Sequence, residues 1–288
     1  MAAVSQITAN LRHEINIVVH PWYRDHCFAG KIILPGVESL IILAHEVRKI
    51  RPECNIRQMF DVRFDKILEL NPDESKQAVI IEINEDNNES ITAKLLTKSR
   101  RKTISRLKEH GRVSFRAGEA DSYPSRAADL SPQEPVLTIP AQTIYQELVP
   151  FGPAYQNIIA DLRLTKRGAW AGLRAPDLTT SEITALTGSP FPLDAAFHAA
   201  CVWGQRFGGF IPFPVGFSSR TIINNTKPGE TYRARVIPIA LKTEEIIFDL
   251  WIFDQQGKLF ESVSATRMRD ISGGRMKPPS WIIADQFV

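Results

Sequence analysis

The spacing of apolar residues predicts two long helices, each followed by a run of strands. Apolar residues recur every three or four positions over Pro35–Ile50 and again over Leu193–Phe207. Prolines at or just before both segments favour these starts, because a first turn tolerates proline. The strands predicted after the first helix are Met59–Phe64, Ala78–Asn84, Ile91–Thr97 and Arg112–Arg116, and those after the second are Arg220–Asn224, Thr231–Ala240, Glu245–Phe253 and Lys258–Arg269.

A segment rich in Ala, Ser, Asp and Pro, Gly118–Pro140, separates the two helix-and-strand patterns and has the composition of a linker. We therefore predict a degenerate duplication with an N-terminal half over 1–118, a linker over 119–140 and a C-terminal half over 141–288. Because helix and strands are segregated rather than alternating, the fold class is α+β, with a curved antiparallel sheet around one long helix in each half.

Composition narrows the class of protein. The 288 residues are 43% hydrophobic and 23% charged with a net charge of +3, values typical of globular proteins that do not indicate a nucleic-acid partner. Three widely separated cysteines argue against a disulfide framework and show no metal-ligand spacing. No apolar run approaches the ~18 residues of a membrane span, and charged residues interrupt the N-terminus where a signal peptide would be apolar. We expect a cytoplasmic protein without a membrane association.

The first candidate site is His26, in a pattern of His, three residues, Gly30, four residues and Pro35 that ends at the first helix. A bend at Gly30 and the proline before the helix would fix His26 beside that helix. An unperturbed imidazole has a pKa of about 6.5 and is suited to accept a carbon-bound proton near neutral pH. The alternative is a structural histidine in a loop.

The second candidate site is Asp194, four residues before His198 on the second helix. Residues i and i+4 share a helical face, so His198 can orient the carboxyl group. Apolar neighbours favour the protonated acid, whereas a helix N-terminus favours the carboxylate, and the sequence leaves both possibilities open. Asp194 as a helix cap with His198 in the core is the structural alternative.

Two apolar segments are candidate walls of a substrate tunnel. Phe151, Gly152, Pro153 and Tyr155 form a tight bend flanked by aromatic rings, and Pro212 and Phe213 lie in 211–217, a proline-stiffened loop predicted after the second helix. Both segments are also consistent with inert packing.

In this order, the segments 26–35, 151–155, 194–198 and 211–213 resemble the dehydratase domain of modular polyketide synthases and of related animal fatty-acid synthases. A closing hairpin at 254–260 adds to the resemblance, which runs from about residue 20 to 270. It implies a double hot-dog fold, with His26 of one half facing Asp194 of the other. Phe151 departs from the pattern, since the family often has Tyr there. The chain carries no further synthase segments, which suggests a discrete subunit or an excised domain.

The resemblance implies removal of water from a 3-hydroxyacyl thioester. His26 would take the α-proton, and Asp194, steadied by His198, would protonate the leaving hydroxyl, while a backbone N–H of Gly36 or Val37 polarises the thioester oxygen. The substrate would be carried on phosphopantetheine, with no metal or redox cofactor. The expected partners are an acyl carrier protein and other synthase components, and the chain would be a monomer or a homodimer.

Three other interpretations remain open. A product-template-like cyclase or a double-bond isomerase would use the same His/Asp pair, and a non-catalytic hot-dog module would bind acyl chains. Glu38 is a rival acid that we expect to cap the first helix or face solvent. A basic run over 98–108 is interpreted as a solvated edge, with carrier docking as the minority hypothesis.

Overall fold

The structure, a computed structural model, describes residues 7–86, 90–101, 104–116, 137–178 and 184–283. Contacts within the chain divide it into two compact units, Met1–Tyr123 and Pro124–Val288. Most of the predicted linker, up to residue 136, lies outside the described residues, and Leu137–Ile139 at its end forms a strand. None of the helices in the described ranges is long and apolar enough to cross a membrane.

The first unit consists of an antiparallel sheet of five strands and a long helix packed against it. A separate two-stranded hairpin precedes the helix. The sheet order is β1-β5-β6-β7-β4. The elements in the described part of this unit are β1 Ile7–Val18, β2 Cys27–Phe28, β3 Lys31–Ile32, α1 Gly36–Ile50, β4 Gln58–Arg63, β5 Lys76–Asp86, β6 Ser90–Arg101 and β7 Ile104–Arg116.

Helix α1 confirms the first predicted helix and buries the predicted apolar stripe. Its N-cap is Pro35, whose fixed φ of −60° suits the position before a first turn. Phe64 packs closely on Gly36, since a Cβ there would lie 3.0 Å from the Phe64 ring. This contact ties the start of α1 to the residue that follows β4.

The second unit repeats the arrangement with a sheet of seven antiparallel strands, in the order β11-β14-β13-β12-β10-β9-β8, packed against its own long helix. Its described elements are β8 Leu137–Ile139, α2 Ala141–Thr143, a π-helical turn Ile144–Leu148, a 3-10 turn Pro153–Tyr155, β9 Leu162–Thr165, β10 Gly168–Arg174, α3 Thr184–Thr187, α4 Phe191–Gly208, β11 Phe213–Ile222, β12 Thr231–Leu241, β13 Glu245–Phe253, β14 Leu259–Arg269 and α5 Ser280–Ile283.

Helix α4 confirms the second predicted helix and begins two residues before the predicted start. Pro192 lies in its first turn, where a backbone N–H would have no helical acceptor, so the proline does not delay the helix. The helix ends before Gly209, which adopts the left-handed conformation with φ 72°. Fifteen of its eighteen residues are buried, so α4 is the core of the second unit.

The predicted elements are wrong at 211–217 and incomplete at the N-terminus. The predicted loop 211–217 is largely strand, since β11 starts at Phe213; a register shift between Pro214 and Gly216 accommodates the proline, which cannot donate to the sheet. The strand β1 is absent from the prediction. Its helix-facing side chains include His13, which contacts Glu46 on α1 at 2.9 Å, so the strand lacks a clean apolar alternation.

Candidate functional site

In the first unit, a tight hairpin positions His26. Ala29 and Gly30 both have positive φ, 50° and 77°, the geometry of a type I′ two-residue turn between β2 and β3. The turn brings Ile33 back to His26: the Ile33 N–H donates to the His26 carbonyl at 3.1 Å. A bend at Gly30 was the predicted means of fixing this histidine, and the hairpin supplies it.

The same hairpin orients the His26 ring, which is 7% exposed. The Nδ1 atom lies 3.1 Å from the Ile33 carbonyl oxygen. A carbonyl only accepts hydrogen bonds, so this contact requires a proton on Nδ1. In the neutral ring the lone pair is then on Nε2, the atom that can act as a base.

Glu38 and Tyr23 form a buried pair close to His26 in the chain. Glu38 is 8% exposed, so the expectation that it caps α1 or faces solvent is wrong. The Tyr23 hydroxyl hydrogen bonds to Glu38; burial and then the Glu38 charge raise the pKa of Tyr23 well above its ordinary value. The Tyr23 carbonyl in turn accepts the His26 N–H at 3.0 Å. Sequence spacing gave no sign of this pairing, because the two residues are fifteen positions apart.

Gly36 and Val37 are the first two residues of α1. Their amides belong to the first turn, which a helix's own carbonyls do not reach, and the helix dipole makes this end attractive to a developing negative charge. The backbone is therefore chemically suited to polarise an oxygen. The assignment of these amides to a thioester stays a prediction.

In the second unit, Asp194 lies in the first turn of α4 and is 6% exposed. Its Oδ2 atom is 3.1 Å from Nε2 of His198, one helical turn later. The alignment of the two atoms is poor for a hydrogen bond, so the contact is electrostatic rather than a well-formed hydrogen bond. Asp194 is not the helix cap, which is Pro190.

Tyr145 contacts the other side of His198, and the sequence patterns did not identify it. Its hydroxyl is 3.4 Å from His198 Nδ1, and it accepts the Ile158 N–H at 2.7 Å. The pKa of Tyr145 is raised well above its ordinary value, first by burial, so the hydroxyl stays protonated. Tyr145 lies in the π-helical turn, a feature frequent at functional sites but without a sequence signature.

The predicted tunnel residues take different positions within the second unit. The Phe151 ring lies 5.2 Å from the His198 ring, whereas Tyr155 is fully buried against Phe191, 5.3 Å between ring centres. Gly152 and Pro153 start the 3-10 turn that separates the two rings. Pro212 is buried and packs closely on Gly204 of α4, because a Cβ on residue 204 would lie 2.5 Å from the Pro212 ring.

Phe213 opens β11 and is half-buried. Phe151 contacts the Asp194–His198 pair through the His198 ring. A substrate-lining role for all six stays a prediction.

A model of the polyketide synthase dehydratase N-terminal domain matches residues 124–278, more than half of the chain. A comparison with curated proteins finds no relative. Among solved structures, the chain is similar to the dehydratase domain from the CurJ module of curacin polyketide synthase, at 18% identity and a TM-score of 0.69 over 93% of both chains.

It is also similar to the dehydratase domain of PpsC from Mycobacterium tuberculosis in complex with C12:1-CoA, at 17% identity and a TM-score of 0.68 over 91% of this chain and 94% of that one. The chain is similar as well to a bifunctional dehydratase-cyclase domain in ambruticin biosynthesis, at 19% identity and a TM-score of 0.62 over 90% of this chain and 91% of that one. These likenesses establish the double hot-dog fold that the sequence predicted. With the family match, they show that the chain belongs to the polyketide synthase dehydratase family.

Proposed function

We propose that this chain removes water from 3-hydroxyacyl thioesters held on an acyl carrier protein, giving 2-enoyl thioesters. The observation that carries the proposal is the buried Asp194–His198 pair, 3.1 Å apart at the start of an otherwise apolar helix. Burying a carboxyl group beside an imidazole is costly and adds nothing to packing that an apolar pair would not add. Such a pair is suited to proton transfer.

His26 is the proposed base. With Nδ1 donating to the Ile33 carbonyl, the Nε2 lone pair takes the α-proton, which the neighbouring thioester carbonyl makes acidic. The electrons form the α,β double bond as the β-hydroxyl leaves. Asp194 gives that hydroxyl its proton, so one water is released for each proton that His26 takes. A final proton exchange between the two groups and solvent restores the starting state.

Backbone amides complete the proposed chemistry. The N–H of Gly36 or Val37 would donate to the thioester oxygen as negative charge develops on it. The acyl chain would arrive on a phosphopantetheine arm, which is why we propose an acyl carrier protein and neighbouring synthase components as partners. The Cα–H and Cβ–O bonds break as the double bond and one water form, with no change in the overall oxidation state, so we propose that the reaction uses no redox cofactor.

One of the structural neighbours is a bifunctional dehydratase-cyclase domain. The fold is thus compatible with a second reaction, and in this chain a cyclase would use His26 and Asp194 to close a ring on the enoyl product. The fold does not distinguish a dehydratase from a dehydratase-cyclase. We therefore propose dehydration, the step that comes first in both, as the reaction of this chain.

The proposal is tested by incubating the purified chain with a 3-hydroxybutyryl carrier protein and analysing the thioester by mass spectrometry. Dehydration is expected to lower the acyl mass by one water and to create an enoyl absorbance. A substrate that also carries a distal hydroxyl distinguishes a cyclase, since ring closure keeps the mass but removes the enoyl absorbance. Binding of the substrate without a mass change would contradict the proposal and favour a non-catalytic acyl-binding module.

A further inference from the structure

A row of cationic and aromatic side chains crosses the second unit on the sheet face opposite α4. Across adjacent strands, Thr138 is paired with Arg163, Arg163 with Trp170, and Trp170 with Arg235. Directly paired residues in an antiparallel sheet point to the same face. The intervening residues, such as Ala169 and Ala171, are buried toward the helix, so the row lies on the outer face.

Arg235 and Trp170 form the rigid part of this row. The Arg235 guanidinium lies 3.5 Å from the centre of the Trp170 ring and is 7% exposed. It donates to the carbonyls of Ala169 and Val236 at 3.3 and 3.1 Å. Gly168 makes room for it, because a Cβ there would lie 2.3 Å from the guanidinium. A fixed positive charge is thus held beneath the face.

A cavity of about 880 Å³ opens over this row. Trp170 and the exposed Arg163 and Arg233 line it, together with Ala160, which packs over Gly172. Its volume is in the range of sites for small molecules. A protein interface would not require a concave site of this kind.

The groups facing the cavity are mainly hydrogen-bond donors. Trp170 is 9% exposed and contributes an aromatic wall, because its Nε1–H is itself buried, without an acceptor among the described residues. Within the described part of the chain, neither Arg163 nor Arg233 forms an ion pair; Arg233 donates to the neutral Gln255 amide oxygen at 2.9 Å. Among the lining residues that the structure describes, Asp161 is the acid. The balance of charge favours an anion.

We propose that this outer-face cavity binds a small phosphate-bearing molecule. Arginine guanidinium groups such as those of Arg163 and Arg233 present paired N–H donors that match phosphate oxygens. The Asp161 carboxylate would repel phosphate but accept a hydroxyl group. The favoured ligand is therefore a phosphate ester with hydroxyls, such as a nucleoside diphosphate, rather than free phosphate. Since α4 packs on the opposite face of the sheet, this ligand site is distinct from the Asp194–His198 pair.

Calorimetric titration of the whole chain with inorganic pyrophosphate and with ADP tests the proposal, at an ionic strength of about 0.15 M so that surface charges are screened. Saturable binding of ADP is expected. Arg163→Gln and Arg233→Gln should each weaken it about tenfold, the effect of losing one charge-assisted hydrogen bond. If pyrophosphate binds as tightly as ADP, the phosphates alone are the recognised group. If pyrophosphate binds more weakly than ADP, the organic part of ADP contributes to recognition as well.

Arg174→Gln is the matched control. Arg174 is exposed at the end of β10 on the same face and does not line the cavity, so its loss changes the net charge equally. The proposal is overturned if neither phosphate compound saturates, if Arg174→Gln weakens binding as much as the other variants, or if citrate binds equally well with the same arginine dependence. Arg163 and Arg233 are exposed, so thermal unfolding of all three variants should match that of the wild type.

Discussion

The surroundings of His26 and of Asp194 position their side chains by different means. His26 is held by main-chain groups: a hairpin turn returns the Ile33 carbonyl to its Nδ1 atom. Asp194 is held by side chains, with His198 beside it and Tyr145 behind His198. The two long helices also differ in burial: nine of the fifteen residues of α1 are buried, whereas fifteen of the eighteen residues of α4 are buried. Turn geometry therefore controls the first site, and core packing controls the second.

The largest effect is expected from Phe191→Ala in α4. Phe191 is fully buried and packs on Tyr155, so its truncation leaves a cavity and should lower the free energy of unfolding by about 3–5 kcal/mol. Denaturant unfolding followed by circular dichroism measures the loss. The matched change on α1 is Ile42→Ala, at a position that is only partly buried, and it should cost clearly less. Equal losses would show that the two helices do not differ as described.

Tyr145→Phe should affect both stability and activity. The variant leaves the buried Ile158 N–H without its acceptor, at a cost of about 1–3 kcal/mol. It also removes the hydroxyl that lies 3.4 Å from His198 Nδ1, so the ring beside Asp194 loses a polar neighbour and dehydration should slow as well.

The rate of dehydration by Tyr145→Phe is then expected to fall under conditions in which the variant stays folded. Tyr232→Phe is the control, because it also removes a hydroxyl that accepts a backbone N–H, that of Lys227, at a residue with no predicted role in the site. A wild-type rate in folded Tyr145→Phe, with only the stability reduced, would limit Tyr145 to a structural role.

Gly30→Val tests the main-chain support of His26. A β-branched residue at φ 77° should cost about 1–2 kcal/mol and displace the turn, so dehydration should fall as well. Ala29→Gly is the control, because it removes a Cβ from a position with φ 50° and should preserve or raise stability. Thermal unfolding and the dehydration assay are measured together. Full activity in Gly30→Val would contradict the importance of the turn.

The smallest effect concerns the acid stability of the first unit. Burial raises the pKa of Glu82, but hydrogen bonds from Lys94 and Arg12 outweigh it and lower the pKa from 4.5 to about 2. A depressed carboxyl pKa stabilises the fold above the unfolded pKa, and this stabilisation is lost as the pH falls from 4.5 toward 2.

Glu82→Gln should therefore cost about 1 kcal/mol at neutral pH and flatten the acid unfolding curve in that window. Glu69→Gln, which breaks the exposed ion pair with Lys31, is the control. It should change neither the stability at neutral pH nor the acid unfolding curve. Acid titration followed by circular dichroism measures both variants. Similar curves for Glu82→Gln and the wild type would contradict the assigned role of this carboxylate.

The sequence predicted those parts of the fold that rest on local patterns. Both long helices follow from apolar spacing, and β13 has the predicted bounds Glu245–Phe253. Strand β10 was missed because it is rich in Ala and Gly, which have low strand propensity, and β9 because it is only four residues long. The pattern around Gly30 suggested a bend, which the structure resolves into a two-residue turn.

The candidate site was predictable only in part, for a similar reason. His26, Asp194 and His198 carry spacing signals, since each lies at a fixed offset from a glycine or from another polar residue. Tyr145 and Tyr23 carry no such signal, because each contacts a residue that is distant in sequence and is brought near only by folding. Their partners are His198 and Glu38, respectively. Burial of Glu38 likewise follows from tertiary packing, which overrides the usual exposure of glutamate early in a helix.

The central claim is that His26 and Asp194 dehydrate the same substrate, and a single-turnover assay tests it most directly. Formation of the 2-enoyl thioester from a 3-hydroxyacyl carrier protein is followed for the wild type, His26→Ala and Asp194→Asn. Each variant is expected to lose about 10²–10⁴-fold in rate, the usual contribution of general acid–base catalysis, and to keep its thermal unfolding transition. His45→Ala and the exposed Asp177→Asn are matched controls and should dehydrate like the wild type. Wild-type rates in either His26→Ala or Asp194→Asn would contradict the account.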